Sequence, residues 1–179
     1  MRKNSTYPVS KLVIELGLVS TSVLINTGIA NQIVLAKSKN PQQCDIFAYV
    51  TDTSSRGLNV RNGGSINNKI LGQVPKNATV KIIAVANKWA KITNASDGFQ
   101  GNGWVFVPKL GISTRGYGTN GVNVYSSANR QSRKVGRVAP NANVKLLSCQ
   151  KDWALVEHQG VQGWLAKEDQ CGAALTTCS

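Results

Sequence analysis

One pattern occurs twice in the sequence, and this repeat limits the possible folds more than any other feature. All four tryptophans fall on equivalent positions of the two copies. The matching blocks are residues 57–60 with 121–124, 77–83 with 141–147, 89–92 with 153–156, and 103–105 with 163–165. A tandem unit of this size predicts two similar small domains, which we call copy 1 and copy 2.

Each copy reads as about five short strands rich in β-branched and aromatic residues. In copy 1 the strands are predicted at residues 47–51, 58–61, 70–74, 80–86 continued by 89–93, and 104–108. Before the last strand, residues 93–102 of copy 1 correspond to the shorter segment 157–162 of copy 2, which predicts a hairpin tip of variable length. Strands this short cannot bury both faces in an open sheet, so the sequence predicts an all-β fold in which each copy closes into a small barrel.

The first 36 residues differ from the rest of the chain. A basic start precedes a mostly apolar stretch at residues 12–25, and small residues near Ala36 offer a cleavage site. This arrangement predicts a secretory signal peptide at residues 1–36. A buried amphipathic helix is the alternative, because Glu15 interrupts the apolar stretch. No later segment is long and apolar enough to predict a membrane-spanning helix.

The rest of the chain divides into two barrels with a short connection. The predicted parts are barrel 1 at residues 44–112, a linker at 113–120, barrel 2 at 121–171 with 116–120 as a possible first strand, and a tail at 172–179. The formal net charge is +13, and most of it remains after removal of the signal peptide. A basic surface either favours anionic partners, such as wall polymers, or only keeps the protein soluble.

Four cysteines follow the predicted signal peptide, and in an exported protein they predict two disulfides with three possible pairings. We expect residues 167–171 to return to the end of the sheet at which Cys149 lies. This favours the pairs Cys149–Cys171 and Cys44–Cys178, with a local Cys171–Cys178 bond as the open alternative. Because the chain has one histidine and no Cys-x-x-Cys motif, we expect no metal and no cofactor.

Several motifs together resemble the bacterial SH3 domain. They are Leu58-Asn59-Val60-Arg61, Gly72, Val80, Trp89 with Ile92, and Gly103-Trp104-Val105. The resemblance covers about residues 45–112 and 117–170 and implies a barrel of five or six strands. Residues 44–52 also look like the start of secreted cyanobacterial members. Copy 2 has Val122 and Tyr125 where the family usually has Leu and Arg, which puts in doubt any ligand preference that depends on that Arg.

The resemblance implies binding of cell-wall peptidoglycan, often of its peptide stems, or of protein segments near the wall. Aromatic faces with basic neighbours suit a flat or anionic ligand. The candidate ligand-binding residues are Arg61, Lys88, Trp89, Lys91, Phe99, Tyr125 and Trp153. Trp89 and Trp153 could equally be core residues, and Trp104 and Trp164 are expected in the core. We expect the two copies to differ in role. Copy 1 is the better candidate for ligand contact, and copy 2 is expected to be a supporting domain that a disulfide stabilises.

No catalytic group of residues is expected. His158 lies at a predicted hairpin tip, and Glu157, Glu168 and Asp169 lie in or beside turns. We therefore expect a non-catalytic binding protein that is secreted, periplasmic or wall-associated. The alternative is a protein-interaction module that targets an exported partner enzyme. Nucleic-acid binding, which small basic barrels with exposed aromatics can perform, is disfavoured by export.

Overall fold

The computed structural model describes residues 40–174. The signal peptide predicted at 1–36 lies outside these residues, as does the end of the predicted tail. The described residues belong to one compact unit and form strands and two short 3₁₀ helices. The all-β prediction is confirmed. Within residues 40–174, no helix has the length and apolar character that crossing a membrane requires.

Each copy contributes equivalent strands in the same order. Copy 1 has β1 (Gln42–Val50), β2 (Leu58–Arg61), β3 (Ile70–Val74), β4 (Thr79–Ala86), β5 (Trp89–Ala95) and β6 (Asn102–Phe106). Copy 2 has β7 (Leu110–Thr114), β8 (Val122–Tyr125), β9 (Lys134–Val138), β10 (Asn143–Gln150), β11 (Trp153–His158), β12 (Val161–Leu165) and β13 (Gln170–Cys171). The 3₁₀ helices Val107–Lys109 and Lys167–Asp169 precede β7 and β13.

The thirteen strands of residues 40–174 form a single antiparallel sheet. Its order is β3-β2-β6-β5-β4-β1-β7-β10-β11-β12-β8-β9, with β13 beside β7. The pairings of copy 1 recur in copy 2, because β2 pairs with β3 and β6 just as β8 pairs with β9 and β12. The repeat detected in the sequence is thus a repeat of hydrogen-bonding pattern.

Strand β7 belongs to both copies. Its first residues, Leu110 and Gly111, pair with the end of β1. Its last residues, Ser113 and Thr114, pair with β13, and the strand also pairs with β10. One strand therefore completes copy 1 and begins copy 2, and the linker predicted at 113–120 starts inside this strand.

The first strand of copy 2 is consequently β7 and not residues 116–120, which the sequence offered as a possible first strand. Gly116, Gly118 and Gly121 have φ values of 89°, 77° and 99°. These left-handed conformations suit glycine and are incompatible with a regular strand. Residues 115–121 form the loop that leads from β7 to β8.

The two copies share one hydrophobic core. Fully buried residues come from copy 1 (Ile82, Ile92), from the shared strand (Ile112) and from copy 2 (Leu146, Leu165). All of them belong to the same contiguous cluster. Inward-facing residues alternate with more exposed ones along the strands, as expected for a sheet with one buried face.

A disulfide joins the copies and corrects the predicted pairing. Cys44 on β1 is bonded to Cys149 on β10, with their Cα atoms 5.8 Å apart, so the predicted bonds Cys149–Cys171 and Cys44–Cys178 are both wrong. Cys171 is disulfide-bonded too, whereas Cys178 lies outside the described residues. Cys171 pairs with β7 at Ser113, beside the start of β10. Cys149 lies six residues further along β10, a distance of roughly 20 Å in a strand.

Candidate functional site

The outer face of β5 and β6 carries aromatic side chains in copy 1. Trp89 lies opposite Phe106, and their ring centroids are 5.5 Å apart. Trp104 lies between Arg61 on β2 and Lys91 on β5. The intervening residues of these strands point into the core. We call Trp89, Trp104 and Phe106 the aromatic face.

The β2–β3 loop, residues 62–69, lies against one side of the aromatic face. A Cβ atom at Gly64 would stand 3.2 Å from Cβ of Trp89 and 3.5 Å from Cε3 of Trp104. The backbone therefore approaches the two indoles closely at this position. Arg61 holds the loop, because its Nη1 donates a hydrogen bond to the carbonyl oxygen of Asn68 at 2.7 Å.

An open groove of about 490 Å³ lies beside the loop. It is lined by Asp52, Leu58, Asn59, Arg61, Gly64, Ser65, Ile66, Trp89, Phe106 and Lys109. Lys109 Nζ stands 3.6 Å from Asp52 Oδ1, and the Lys109 side chain is 47% exposed. The groove thus combines flat aromatic surface with two cations and one carboxylate. This arrangement suits a flat or apolar group that carries a nearby anionic group.

In copy 2 the side chains on the equivalent outer face are buried against one another. Tyr125 stands where copy 1 has Arg61, Leu155 where it has Lys91, and Trp164 where it has Trp104. These three side chains are at most 4% exposed and form a second apolar cluster, apart from the main core. Burial of side chains of this size contributes about 1.5–3 kcal/mol each. We call Tyr125, Leu155 and Trp164 the copy 2 cluster.

Partly buried residues complete the covering of the copy 2 cluster. Ala128, Leu147 and Trp153 pack against it. The rings of Tyr125 and Trp153 meet edge to face, with centroids 5.8 Å apart. Ala128 occupies the loop position of Gly64, so the loop of copy 2 adds apolar surface over the equivalent of the aromatic face.

An ion pair ties the copy 2 loop to the second 3₁₀ helix. Arg130, at the position of Ile66, bonds to the carboxylate of Glu168 and lies 3.6 Å from Oδ2 of Asp169. The Glu168 backbone N–H, together with Arg130, lowers the pKa of Glu168. Burial raises the pKa of Asp169 despite the nearby Arg130. The equivalent positions of copy 1 hold Ile66, Pro108 and Lys109 and offer no such pair.

The structure separates the seven predicted ligand-binding residues. Arg61 and Trp89 line the groove. Lys91 lies on the same outer face beside Trp104, and Lys88 is exposed in the turn between β4 and β5. The others lie elsewhere: Tyr125 and Trp153 are packed in copy 2, and Phe99 packs against the main core.

Phe99 packs over the backbone of two neighbouring strands. Its ring lies over Gly72 on β3 and Gly103 on β6, where added Cβ atoms would stand 2.8 Å and 3.6 Å from ring carbons. In copy 2, Val161 lies over Gly136 in the corresponding way. Phe99 in the longer tip of copy 1 and Val161 in copy 2 therefore cover equivalent glycines with different apolar side chains.

Several groove residues were not identified by the sequence analysis. Asp52, Phe106 and Lys109 line the groove, and Trp104, which was expected in the core, is half-buried on the outer face. The alternation of side chains along the strand indicates where two of these aromatic residues lie. Trp104 and Phe106 flank Val105, so they share the face opposite to this buried valine. Asp52 and Lys109 come together only through the tertiary fold.

The remaining candidate carboxylates are matched with cations or backbone. Glu157 lies 3.4 Å from Lys145 Nζ and accepts a hydrogen bond from the Gly160 N–H. Glu168 and Asp169 face Arg130. Within residues 40–174, no group of three His, Cys, Asp or Glu side chains is arranged to hold a metal ion.

Sequence comparison places both copies in one family. The bacterial SH3 domain matches residues 56–108 and again residues 120–169. The chain belongs to the bacterial SH3 domain family. The two matches correspond to copy 1 and copy 2, as the sequence repeat predicts.

Among solved structures, the chain is similar to NlpC2 and NlpC1 from Trichomonas vaginalis. The identities are 14% and 17%, and the TM-scores are 0.31 and 0.32. The alignments cover 72% and 76% of this chain and 48% of each of those chains, so the chain spans about half their length. No curated protein matches the chain. Family membership therefore rests on the two sequence matches.

Proposed function

We propose that this is an exported, non-catalytic binding protein whose copy 1 groove takes a peptide of cell-wall peptidoglycan. The observation that carries the proposal is the open groove with Trp89 and Phe106 on its surface and Arg61 and Lys109 beside them. A wall peptide offers carboxylates to the two cations and apolar groups to the aromatic rings. The affiliation with bacterial SH3 domains supports this ligand class.

Two features support export. The first is the basic and apolar start of the chain, which has the layout of a secretory signal peptide. The second is the Cys44–Cys149 disulfide, since disulfides persist in oxidising compartments outside the cytoplasm. The protein then meets the wall in the periplasm, in the wall itself or in the medium.

The test is retention of the purified protein on peptidoglycan sacculi at low salt. Trp89→Ala should weaken binding at least about fivefold, because a central aromatic residue typically contributes more than about 1 kcal/mol to binding. Trp153→Ala is the matched control in copy 2 and should bind within about twofold of the wild type. Both variants are first compared with the wild type by thermal unfolding, so that loss of fold is not read as loss of binding.

Two results would count against the proposal. One is the absence of retention of the wild type at low salt. The other is equal retention of wild type and Trp89→Ala, which would place the wall contact outside the groove.

A protein partner is the second candidate, and one observation favours it. Ile66 in the β2–β3 loop and Ile70 and Leu71 on β3 of copy 1 are 72%, 46% and 45% exposed, and Ile66 lines the groove. Copy 2 has Arg130 and Lys134 in place of the two isoleucines. Exposed apolar groups next to a groove are typical of protein contacts. Co-purification of an exported protein that is lost in Ile66→Arg/Ile70→Lys, with no retention on sacculi, would select this function.

A further inference from the structure

We infer that two exchanges between the copies close in copy 2 the outer face that borders the ligand groove in copy 1, so that one chain binds one ligand. The exchanges are Arg61, which lines the groove, for Tyr125, and Lys91, which lies on the adjoining face beside Trp104, for Leu155. The identity of the ligand rests on the proposed function, whereas the closure of copy 2 does not. Without this difference, two tandem copies would suggest two ligand-binding sites per chain and a gain in affinity from binding at both.

The two exchanges replace charge by apolar volume at neighbouring positions. In copy 1, Arg61 and Lys91 flank Trp104 on adjacent strands, and Trp104 is half-buried. In copy 2, Tyr125 lies directly opposite Trp164, and Leu155 lies opposite Trp164 from the other side. Trp164 is consequently only 4% exposed.

The β2–β3 loop of copy 1 and the β8–β9 loop of copy 2 also differ in how closely they cover this outer face. The copy 1 loop leaves a groove beside Trp89, with Ile66 exposed at its rim. The copy 2 loop lays Ala128 on the copy 2 cluster and is tied down by Arg130 to Glu168 and Asp169. A ligand could reach Tyr125 or Trp164 only after this loop had moved away.

Packing, and not the ion pair, holds the loop closed. Arg130 is 45% and Glu168 61% exposed, and ion pairs this exposed change an equilibrium by no more than about two- to fivefold. The copy 2 cluster buries two large aromatic side chains and a leucine almost completely. Tyr125 and Leu155 are therefore the residues that decide the state of copy 2, and Arg130 positions the loop.

The test is calorimetric titration of the wild type with soluble muropeptides released from sacculi by lysozyme. We expect one ligand per chain, and an unchanged stoichiometry with affinity within about twofold in Trp153→Ala. Two ligands per chain, or an affinity loss in Trp153→Ala as large as that in Trp89→Ala, would overturn the inference and leave the proposed function standing. An absence of binding by the wild type would instead remove the proposed function.

Amide hydrogen exchange then tests, without any ligand, whether the loop of copy 2 is closed. After correction for intrinsic rates, we expect the amides of residues 126–133 to exchange at least about tenfold more slowly than those of residues 62–69. Arg130→Ile, which introduces the copy 1 residue, should speed exchange of residues 126–133 by only about two- to fivefold. Equal or faster exchange of the copy 2 loop in the wild type would show that copy 2 is open and would refute the inference.

Discussion

Arg61 and Tyr125 occupy the same position of the repeat in opposite environments. Arg61 is half-buried, and its guanidinium donates to the loop backbone at the edge of an open groove. Tyr125 is 4% exposed and packs on Trp153 and Trp164. The fold tolerates both residues because the position points away from the main core, where either a polar or an apolar side chain can be accommodated.

Asp45 is a residue at which the copies meet electrostatically. Its carboxylate lies 2.9 Å from Lys167 Nζ in copy 2 and 3.1 Å from Lys81 Nζ in copy 1. Hydrogen bonding to Lys167 and Lys81 lowers the pKa of Asp45 below its ordinary value of 3.8. Asp45 is therefore charged in the folded protein at every physiological pH.

The lowered pKa of Asp45 gives a pH-dependent prediction. A depressed carboxylate pKa adds stability that is fully present above about pH 4 and is lost as the pH falls through the folded-state pKa. The stability difference between the wild type and Asp45→Asn should thus be constant from pH 5 to 8 and shrink below pH 4. Urea unfolding at a series of pH values measures it. A difference that grows on acidification would contradict the assignment.

The sequence identified some of the residues that line the groove. Arg61 and Trp89 could be identified because family motifs mark them, and the exposed face of Trp89 follows from its place after a turn. Trp104 was misassigned to the core because a Gly-Trp pair on an apolar strand does not show which face the tryptophan occupies. Its alternation with buried Val105 decides that face only once the sheet is known.

Among the elements, the hairpin tips differ most between the copies. In copy 2 the tip is Gln159-Gly160, with φ values of 49° and 80°, as in a two-residue type I′ turn. In copy 1 the tip spans residues 94–101 and places Phe99 on Gly72 and Gly103. Phe99 N–H also donates to the Gln73 carbonyl oxygen at 3.0 Å, which joins the tip to β3.

Phe99 should therefore matter for stability and not for binding. Phe99→Ala is expected to lower the free energy of unfolding by about 1–3 kcal/mol, less than for a fully buried phenylalanine because the ring is half-buried. Denaturant unfolding and sacculus retention are the two measurements. Val161→Ala, the counterpart in copy 2, should cost about 1 kcal/mol. Loss of retention in a fully folded Phe99→Ala would return Phe99 to the binding residues.

The positions of β2 to β5 were well predicted from the sequence, whereas β1 begins five residues earlier than predicted and the connection between the copies was missed in part. The predictions for β2 and β3 coincide with the observed strands, and β4 and β5 differ only at their ends. Strand β7 was missed in part because Ser113 and Thr114 read as a linker, whereas residues 110–112 fell within the predicted barrel 1. The strand conformation of Ser113 and Thr114 comes from pairing with β10 and β13, which are distant in sequence.

The whole molecule is held together across its two copies by the disulfide and the backbone. Cys44–Cys149 closes a separation of 105 residues. Beside it, Asp45 N–H donates to the Lys151 carbonyl oxygen at 2.6 Å, and Lys151 N–H donates to the Gln43 carbonyl oxygen at 2.8 Å. The pairing could not be predicted because it depends on how β1 lies across the β10–β11 turn, which no local pattern encodes.

Removal of this disulfide should destabilise both copies together. Cys44→Ser/Cys149→Ser is expected to lower the free energy of unfolding by as much as about 4–5 kcal/mol, because the closed loop is long. Guanidinium unfolding followed by tryptophan fluorescence measures the change. The double replacement leaves Cys171 intact and avoids an unpaired thiol. An unchanged midpoint would mean that the shared core alone joins the copies.

The shared strand makes the repeat extensible. Leu110 and Gly111 pair with β1 in the way that Gln170 and Cys171 pair with β7. Strand β13 thus has the geometry of the first residues of another shared strand. A third unit could be appended at that point by the same hydrogen bonds, with no new type of junction. Within residues 40–174, the two units are joined because the single strand β7 pairs with strands of both.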